Sequence, residues 1–282
     1  MIDAHAHLVT PDTATFPPAP IGGEALSPAA MANHMTIEAL LAQMDRYGVA
    51  KTVAVQRAHV YGVDNAYVLH AAGRFPGRVA AVACIEAGAP GSGSVARSLI
   101  AAGARGLRFT TATKDPHDTS WFAGPEALMV WEAAAHGGAS LCLHFLRWNR
   151  DPGIAALTPL LQRFPGVVLV LDHAGNPTSE ESGFGLTALE ALERFAQLRV
   201  KISTINFEYL RKAGAGIAAF TAAVVSRFGA ERVMWGSDIA QSPGTYGEFV
   251  ANAVASVSEL SEAERAAVLG KTAAAVYFPL TG

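Results

Sequence analysis

The sequence of 282 residues has little charge and almost no cysteine. Charged residues make up 16% of the chain and hydrophobic residues 51%, which is the opposite of the composition of a disordered protein. The net charge of −3 at pH 7 includes no basic excess, so we expect no general binding to nucleic acid. The two cysteines, Cys84 and Cys142, exclude a disulfide framework and are typical of a reducing compartment.

Long apolar runs are also missing, and we expect no secretory leader. The longest nearly apolar stretch, Ala213 to Val225, contains two glycines and a threonine. It is shorter than the roughly 18 residues that a membrane-spanning helix needs. The first five residues, Met-Ile-Asp-Ala-His, have neither a basic start nor an apolar signal core. These absences predict a soluble cytoplasmic protein that does not contact the membrane.

The sequence does contain eight short runs that are rich in apolar and β-branched residues. Several of them, such as residues 167–171, are apolar on both faces, which is typical of parallel strands that are covered on both sides. The eight predicted strands are Ile2–His7, Lys51–Gln56, Arg78–Ile85, Gly106–Thr110, Ala139–Phe145, Val167–Asp172, Val200–Ser203 and Val233–Gly236.

Segments with helical periodicity separate these runs. An apolar stripe from Ile37 to Tyr47 is followed by Gly48, a residue typical of a helix C-terminus. A second stripe, residues 154–164, stops at a Pro-Gly pair. Further signals are a first-turn proline and a closing glycine, and two pairs with capping-box spacing: Pro125 with Gly137, Thr245 with Glu248, and Ser261 with Glu264.

Eight strands alternating with helices predict an α/β protein with one domain over residues 1–282, a closed (β/α)8 TIM barrel. An open doubly wound sheet is the alternative, but no Gly-x-Gly-x-x-Gly motif follows the first strand. The irregular, proline-rich segment at residues 8–35 follows that strand. We expect it to form a long β1–α1 loop, either as a lid or wall over the catalytic face or as a structural wrap.

The predicted strand ends carry residues with metal-binding and acid–base chemistry. Active sites of such barrels lie at the C-terminal ends of the strands. His5 and His7 project from the same face of the first strand because side chains alternate, while His144, His173 and Asp238 end strands 5, 6 and 8. Taken alone, each histidine could be an ordinary buried residue and the aspartate could cap a helix. However, four of the eight strand ends carry a histidine or an aspartate.

These positions and their neighbours resemble the amidohydrolase superfamily. They are similar to its amidohydrolase-related branch (amidohydrolase 2), which contains 2-pyrone-4,6-dicarboxylate lactonase and sulfomuconolactone hydrolase. The resemblance runs from Met1 to about Phe278. Besides the strand-end residues it involves the segments Gly103–Phe109, Leu171–Pro177, Val200–Ser203 and Met234–Asp238.

The resemblance implies a metal-dependent hydrolase, in particular a lactonase that opens a small carboxylated lactone with an activated water. It implies one divalent ion, zinc or manganese, held by His5, His7, His144 and Asp238. Asp238 would also be the general base, and His173 would donate a hydrogen bond to the reacting oxygen. Binuclear relatives have a carboxylated lysine at the end of strand 4, where this chain has Arg108, so one ion is expected. Some lactonases of the branch work without metal.

Polar residues at other strand ends suggest how a substrate would be bound. Gln56 and Arg57 end strand 2, Arg108 ends strand 4, and Arg147 follows the strand-5 histidine. Arginines at a barrel mouth pair with carboxylates in a bidentate manner, which predicts a small acidic substrate. A surface or structural arginine is the alternative, and Arg108 with its apolar neighbours is the strongest candidate for function.

Two other functions remain open on the sequence alone. The first is metal-dependent, non-oxidative decarboxylation of an unsaturated or aromatic acid. Relatives with that activity resemble this chain at the same strand ends, with a metal, a strand-6 histidine and a strand-8 aspartate. The second is a barrel that has lost catalysis and binds a small acid as a sensor or scaffold. A homodimer is the expected assembly, since two-fold symmetric oligomers are the commonest.

Overall fold

Eight parallel strands form one sheet in a computed structural model that describes residues 1–23, 26, 33–177 and 182–279. The strands follow one another in chain order, β1 to β8, and curl into a nearly closed barrel. Each predicted run overlaps one of them, although β4 and β7 begin two residues earlier than predicted, so the single-domain (β/α)8 barrel is confirmed. They are β1 (Ile2–Ala6), β2 (Lys51–Val55), β3 (Val79–Ile85), β4 (Ala104–Phe109), β5 (Ser140–Leu143), β6 (Leu169–Leu171), β7 (Leu198–Ser203) and β8 (Val233–Gly236).

Helices connect the strands around the outside of the barrel. The α-helices are α1 (Ile37–Tyr47), α2 (Ala58–Tyr61), α3 (Ala66–Arg74), α4 (Ser92–Ala101), α5 (Ser120–Ala123), α6 (Pro125–Gly137), α7 (Arg150–Ala155), α8 (Leu157–Arg163), α9 (Thr204–Lys212), α10 (Ile217–Phe228), α11 (Tyr246–Ser256), α12 (Glu262–Ala266) and α13 (Thr272–Tyr277). A π-helix, Ala267–Lys271, joins α12 to α13. Short 3-10 helices are Ile21–Gly23, Asp172–Gly175, Ser182–Gly185, Thr187–Leu192 and Ala230–Arg232. Within the described ranges, no helix has the length and apolar character to cross a membrane.

The helix ends follow the sequence signals closely. Helix α1 ends at Gly48, which has the left-handed conformation expected of a C-terminal glycine. Both predicted capping boxes are present at the starts of α11 and α12. The stripe at residues 154–164, however, is divided between α7 and α8 at Ala156. Pro159 has no N–H to donate to the carbonyl of Ala155, which explains why α7 stops there.

The apolar side chains form two cores, one on each side of the sheet. The inner core fills the lower half of the barrel, and α13 closes its base with Tyr277, whose hydroxyl lies 3.6 Å from Cys142 Sγ. The outer core packs between the strands and the helices. On β7, for example, Val200 and Ile202 belong to the outer core, while Lys201 between them has the opposite orientation. Both faces of the strands are therefore covered, which explains the low charge of the chain.

The barrel closes where β8 meets β1. Ala6 and Ile239 form a parallel bridge beyond the end of β8. The Asp238 N–H donates to the His5 carbonyl over 2.7 Å, and the His7 N–H donates to the Ile239 carbonyl over 3.2 Å. Gly236 lets the two backbones approach, because a Cβ atom there would lie 2.4 Å from the Cβ of His5.

The buried carboxylate of Asp3 ties the same two strands together. It accepts hydrogen bonds from the N–H of Ser237 at 2.8 Å, from the N–H of His5 at 3.1 Å and from the Tyr246 hydroxyl at 3.2 Å. Burial raises the pKa of Asp3 to about 6, although these hydrogen bonds oppose the shift. Asp3 therefore fixes the backbone from which the strand-end residues project.

The described part of the segment at residues 8–35 packs against α2 and α3. Val9 and Met35 form an antiparallel bridge. The Ala19 N–H donates to the Val60 carbonyl over 2.9 Å, and the Phe16 ring lies 4.8 Å from the Tyr67 ring. Residues 24–25 and 27–32 of the predicted loop lie outside the described residues. The role of the loop as a lid or wall stays a prediction.

Substitution of Gly236 tests whether the close approach of β8 to β1 is needed. We expect Gly236→Ala to lower the free energy of unfolding by about 1–3 kcal/mol, because the added methyl group overlaps His5. Gly73→Ala is the matched control. Gly73 lies in α3, and an added Cβ there has no neighbouring atom within 4 Å. We expect this variant to have a free energy of unfolding about 0.5–1 kcal/mol higher than the wild type. Urea unfolding followed by circular dichroism measures both, and equal stability of Gly236→Ala and wild type would contradict the expectation.

Candidate active site

His5 and His7 leave the end of β1 side by side. The register between β1 and β2 shifts between Asp3 and Ala6, which marks an irregularity in the strand at this point. Both histidines are buried, and their Nε2 atoms lie 3.3 Å apart with the rings perpendicular. The structure therefore brings the two strand-1 imidazoles to one place inside the barrel mouth.

Asp238 follows β8 and faces the two histidines. Its backbone has a left-handed conformation, with φ of 57°, and is held by the hydrogen bond to the His5 carbonyl. Its Oδ2 accepts a hydrogen bond from the Ser242 hydroxyl at 2.9 Å. Its Oδ1 is buried, has no hydrogen-bond partner, and lies 3.4 Å from His7 Nε2 and 3.6 Å from His5 Nε2.

The hydrogen bonds of the rings show which nitrogens have lone pairs. His7 Nδ1 lies 2.8 Å from the Val55 carbonyl, which only accepts, so the ring proton is on Nδ1 and Nε2 has its lone pair. His5 Nδ1 lies 3.2 Å from the Lys201 ammonium, which favours a proton on Nε2, and 3.6 Å from an Asp172 oxygen, which favours a proton on Nδ1. Metal binding through Nε2 selects the second tautomer, in which the Nδ1–H faces Asp172. Burial lowers the pKa of both histidines, so both rings are neutral, the form that binds metal.

These three atoms have the spacing of ligands around a single metal ion. Atoms bound at about 2.0–2.2 Å to a tetrahedral ion lie roughly 3.3–3.6 Å apart. His5 Nε2, His7 Nε2 and Asp238 Oδ1 are separated by 3.3, 3.4 and 3.6 Å. Burial alone raises the pKa of Asp238, but its contact with His7 and the neighbouring histidines hold it below the usual range. A buried carboxylate oxygen without a donor, beside two lone pairs, fits a divalent cation.

A second carboxylate, Asp172, lies deeper in the barrel and is fully paired. Its Oδ1 accepts a hydrogen bond from Lys201 Nζ at 2.8 Å, and its Oδ2 accepts one from Arg108 Nε at 2.9 Å. Burial by itself raises the pKa of Asp172, but Lys201, His5 and Arg108 together hold it well below its usual range. Lys201 Nζ also lies 3.2 Å from His5 Nδ1, so the ion pair of Asp172 and Lys201 is in contact with His5.

His173 stands beside this group in a strained backbone conformation. Its φ of 53° is rare for a residue with a side chain, and the Asn206 amide, which donates to its carbonyl over 2.8 Å, holds it there. Its Nδ1 lies 2.6 Å from the Ser203 hydroxyl. Burial lowers the pKa of His173 to about 4, against the attraction of Asp238 and Asp172, so the ring is neutral at pH 7.

His144, predicted as a fourth metal ligand, contacts the neighbouring side chains rather than the three ligand atoms. Its Nδ1 accepts a hydrogen bond from Arg108 Nη2 at 2.8 Å, and its ring centroid lies 4.8 Å from that of His173. Because an arginine only donates, the ring proton of a neutral His144 is on Nε2. Ligation would require loss of that proton or of the Arg108 contact. Its place among the ligands stays a prediction.

The predicted substrate-binding residues have different environments. Arg57 is buried, donates to the Ala240 carbonyl, and has a buried Nε–H without a partner. Gln56 is also buried, and its amide donates to the Asp64 carbonyl. Arg147 is exposed, and its guanidinium lies 4.6 Å from the centre of the Tyr209 ring. Arg57 is thus buried, Arg108 is partly buried beside Asp172, and Arg147 is exposed. Their role in substrate binding stays a prediction.

Asp172, Lys201 and Ser203 belong to the site but were not predicted from the sequence. Lys201 had a recognisable signal, because a lysine between Val200 and Ile202 occupies the opposite face of a strand whose outer face is apolar. Asp172 had a weaker one, since it follows the apolar run of β6 directly. Their pairing joins residues 29 positions apart, and only the fold shows it.

Comparison with known proteins shows the family of this chain. The family model described as Amidohydrolase matches residues 2–278, nearly the whole chain. No curated protein matches the sequence.

Several solved structures share the fold. A probable 2-pyrone-4,6-dicarboxylic acid hydrolase from Acinetobacter baumannii, with citric acid bound, is 16% identical, with 98% of each chain covered and a TM-score of 0.73. An amidohydrolase from Burkholderia multivorans with bound zinc is 22% identical, with 98% of each chain covered and a TM-score of 0.72. A 5-carboxyvanillate decarboxylase from Novosphingobium aromaticivorans, complexed with manganese and a nitrobenzoic acid, is 13% identical, with 97% of this chain and 94% of that chain covered and a TM-score of 0.64.

Replacement of Asp172 tests the role of the buried ion pair in stability. We expect Asp172→Asn to lower the free energy of unfolding by about 3–5 kcal/mol at pH 7, because Lys201 and Arg108 then lose their counter-charge. The pKa of Asp172 is lowered in the folded protein, so its contribution is complete above the ordinary carboxyl pKa of about 4 and is lost below it. The difference in the free energy of unfolding between Asp172→Asn and wild type should therefore become smaller only below about pH 4.

The matched control for this ion pair is Asp45→Asn. Asp45 accepts a hydrogen bond from Arg78 at 2.6 Å, but both side chains are exposed, so the loss should be under about 1 kcal/mol. Urea unfolding at several pH values measures both variants. Equal losses in the two variants would contradict a special role for the buried pair.

Proposed function

The chain belongs to the amidohydrolase family, and from that premise we propose that it is a metal-dependent hydrolase that opens a small carboxylated lactone with water. One observation carries this proposal: His5 Nε2, His7 Nε2 and Asp238 Oδ1 have the spacing of ligands to one ion, and Asp238 Oδ1 has no other partner. A divalent ion held there would supply Lewis-acid activation of the attacking water and of the scissile carbonyl. Zinc and manganese both suit this mixed nitrogen and oxygen set, and relatives of this fold bind one or the other.

Asp238 acts as the general base in this proposal. Its Oδ1 would face the ion, while its Oδ2 accepts one hydrogen bond from the Ser242 hydroxyl and has a second lone pair for the proton of the attacking water. The lowered pKa of Asp238 keeps the carboxylate ionised before the reaction. As the oxygen of the water bonds to the carbonyl carbon and the ring C–O bond breaks, the same proton passes from Asp238 to the leaving oxygen.

His173 stabilises the charge that develops on the carbonyl oxygen. If the Ser203 hydroxyl donates to Nδ1, the ring proton lies on Nε2 and can be donated to that oxygen. The pKa of about 4 keeps the ring neutral, so that it acts as a hydrogen-bond donor and not as a cation near neutral pH. The strained backbone of His173, held by Asn206, fixes the ring in place.

The charges of the mouth favour an acidic substrate. Two buried cationic side chains, Arg57 and Lys201, and the partly buried Arg108 face two buried carboxylates in the described part of the mouth. The unpartnered Nε–H of Arg57 is a donor that a substrate carboxylate would satisfy. The probable 2-pyrone-4,6-dicarboxylic acid hydrolase from Acinetobacter baumannii, which has the same fold and holds citric acid, supports the same substrate class.

Non-oxidative decarboxylation of an unsaturated or aromatic acid is the second candidate. The manganese-bound 5-carboxyvanillate decarboxylase has the same fold, although it is only 13% identical. The two reactions are separated by following the product in water enriched in ¹⁸O. A lactonase incorporates one labelled oxygen into the ring-opened acid, whereas a decarboxylase releases carbon dioxide and leaves the organic product unlabelled. A panel of carboxylated lactones and muconate-type acids provides the substrates.

Substitution of the proposed base has two expected effects. Asp238→Asn should lower kcat by about 10²- to 10⁴-fold, because the amide does not accept the proton. The same variant should bind zinc more weakly, since a charged ligand is lost. Steady-state kinetics and the metal content of the purified protein measure these effects. Asp151→Asn, at an exposed carboxylate, should change neither, and full activity of Asp238→Asn would contradict the proposed role.

Substitution of Arg57 tests recognition of a carboxylate. Arg57→Met should raise KM for carboxylated lactones by about 10- to 100-fold, which corresponds to the loss of a charged hydrogen bond. A neutral lactone of the same ring size serves as the control substrate, and its KM should change little in Arg57→Met. Arg57→Lys should restore only part of the affinity, because lysine does not form a bidentate pair. Equal losses with the acidic and the neutral lactone would argue against a role in carboxylate binding.

A further inference from the structure

Two groups of side chains in the described residues have the donors of a metal site. One consists of His5, His7 and Asp238, and the other of His5, Asp172 and His173. In each group the ligand atoms lie within 4.8 Å of one another. Because His5 belongs to both, the groups form the outer and inner halves of one centre, which has donors enough for two ions.

The two halves differ in whether a cation of the protein is already present. In the outer half, Asp238 Oδ1 has no hydrogen-bond partner. In the inner half, Lys201 Nζ lies 2.8 Å from Asp172 Oδ1 and 3.2 Å from His5 Nδ1. The other oxygen of Asp172 accepts from Arg108 Nε at 2.9 Å. The inner carboxylate is therefore already neutralised.

We propose that the ammonium group of Lys201 takes the position of a second metal ion and so limits the centre to one ion. This inference rests on the proposed metal site of His5, His7 and Asp238. The ammonium already contacts two of the three donor residues of the inner half. A divalent ion bound by the same atoms would touch the ammonium, and charges of the same sign in contact repel strongly in a buried site.

The burial of Lys201 supports a role beyond packing. Its side chain has no exposed surface, and lysine is almost never fully buried unless it is paired. A purely structural ion pair with Asp172 would need no contact with a metal ligand. The 3.2 Å contact with His5 Nδ1 extends the pair to the residue that both halves share.

Removal of the ammonium should open the inner half to a second ion. We expect Lys201→Ala, which removes both the charge and the volume, to bind two zinc ions per chain where the wild type binds one. Lys201→Gln is the second variant, because its amide still donates to Asp172 while the charge is lost. Lys201→Arg keeps the charge and should restore binding of a single ion. Lys212→Ala, at an exposed lysine, is the matched control and should also bind one.

The measurement is the zinc content after saturation with zinc and gel filtration, with folding checked by circular dichroism. Cobalt substitution adds a second readout: two neighbouring cobalt ions give a spin-coupled electron paramagnetic resonance signal, and one does not. One ion in a folded Lys201→Ala or Lys201→Gln overturns the inference and leaves the proposed function intact. Two ions in the wild type also overturn it, whether or not the variants fold. A wild type that binds none would overturn the proposed metal site itself.

Discussion

The buried carboxylate of Asp172 is the charge on which the rest of the site depends. It lies at the end of β6, without exposed surface, and accepts hydrogen bonds from Lys201 on β7 and Arg108 on β4. A lone charge in such surroundings would be strongly unfavourable, and so would either of these cations without it. The three side chains therefore fix one another at the floor of the mouth. From this floor Arg108 reaches His144 and Lys201 reaches His5, so the orientation of both histidines follows from the same ion pair.

The two buried carboxylates of the barrel mouth, Asp172 and Asp238, differ in their partners. Asp172 has a donor on each oxygen and serves to hold cations in place, whereas Asp238 has a free oxygen beside two neutral imidazoles. The amount of burial is nearly the same, so the difference comes from the neighbours. Two imidazole nitrogens face Asp238 Oδ1 beyond hydrogen-bond criteria, whereas both oxygens of Asp172 accept hydrogen bonds from cationic donors. Our proposal therefore assigns metal binding and proton transfer to Asp238, and electrostatic support to Asp172.

The contact between β8 and β1 positions Asp238 beside His5. The backbone of Asp238 donates to the His5 carbonyl, so the bond that helps to close the barrel also sets the distance between the proposed base and the histidines. Gly236 and the buried Asp3 permit and reinforce this approach. A change that separates the two strands would also separate the proposed ligand atoms of His5, His7 and Asp238.

The sequence by itself determined the barrel, its eight strands and the strand ends at which His5, His7 and Asp238 stand, because apolar runs, caps and alternation are local patterns. It also pointed to Arg57 and Arg108 as residues of the mouth. Only the tertiary structure decided that Asp172 pairs with Lys201, that Arg108 donates to His144 Nδ1, and that the exposed Arg147 contacts the ring of Tyr209. The reason is physical: a periodic pattern shows which face a side chain takes, whereas the partner it meets there comes from another strand, at a distance of a few ångströms that no local pattern encodes.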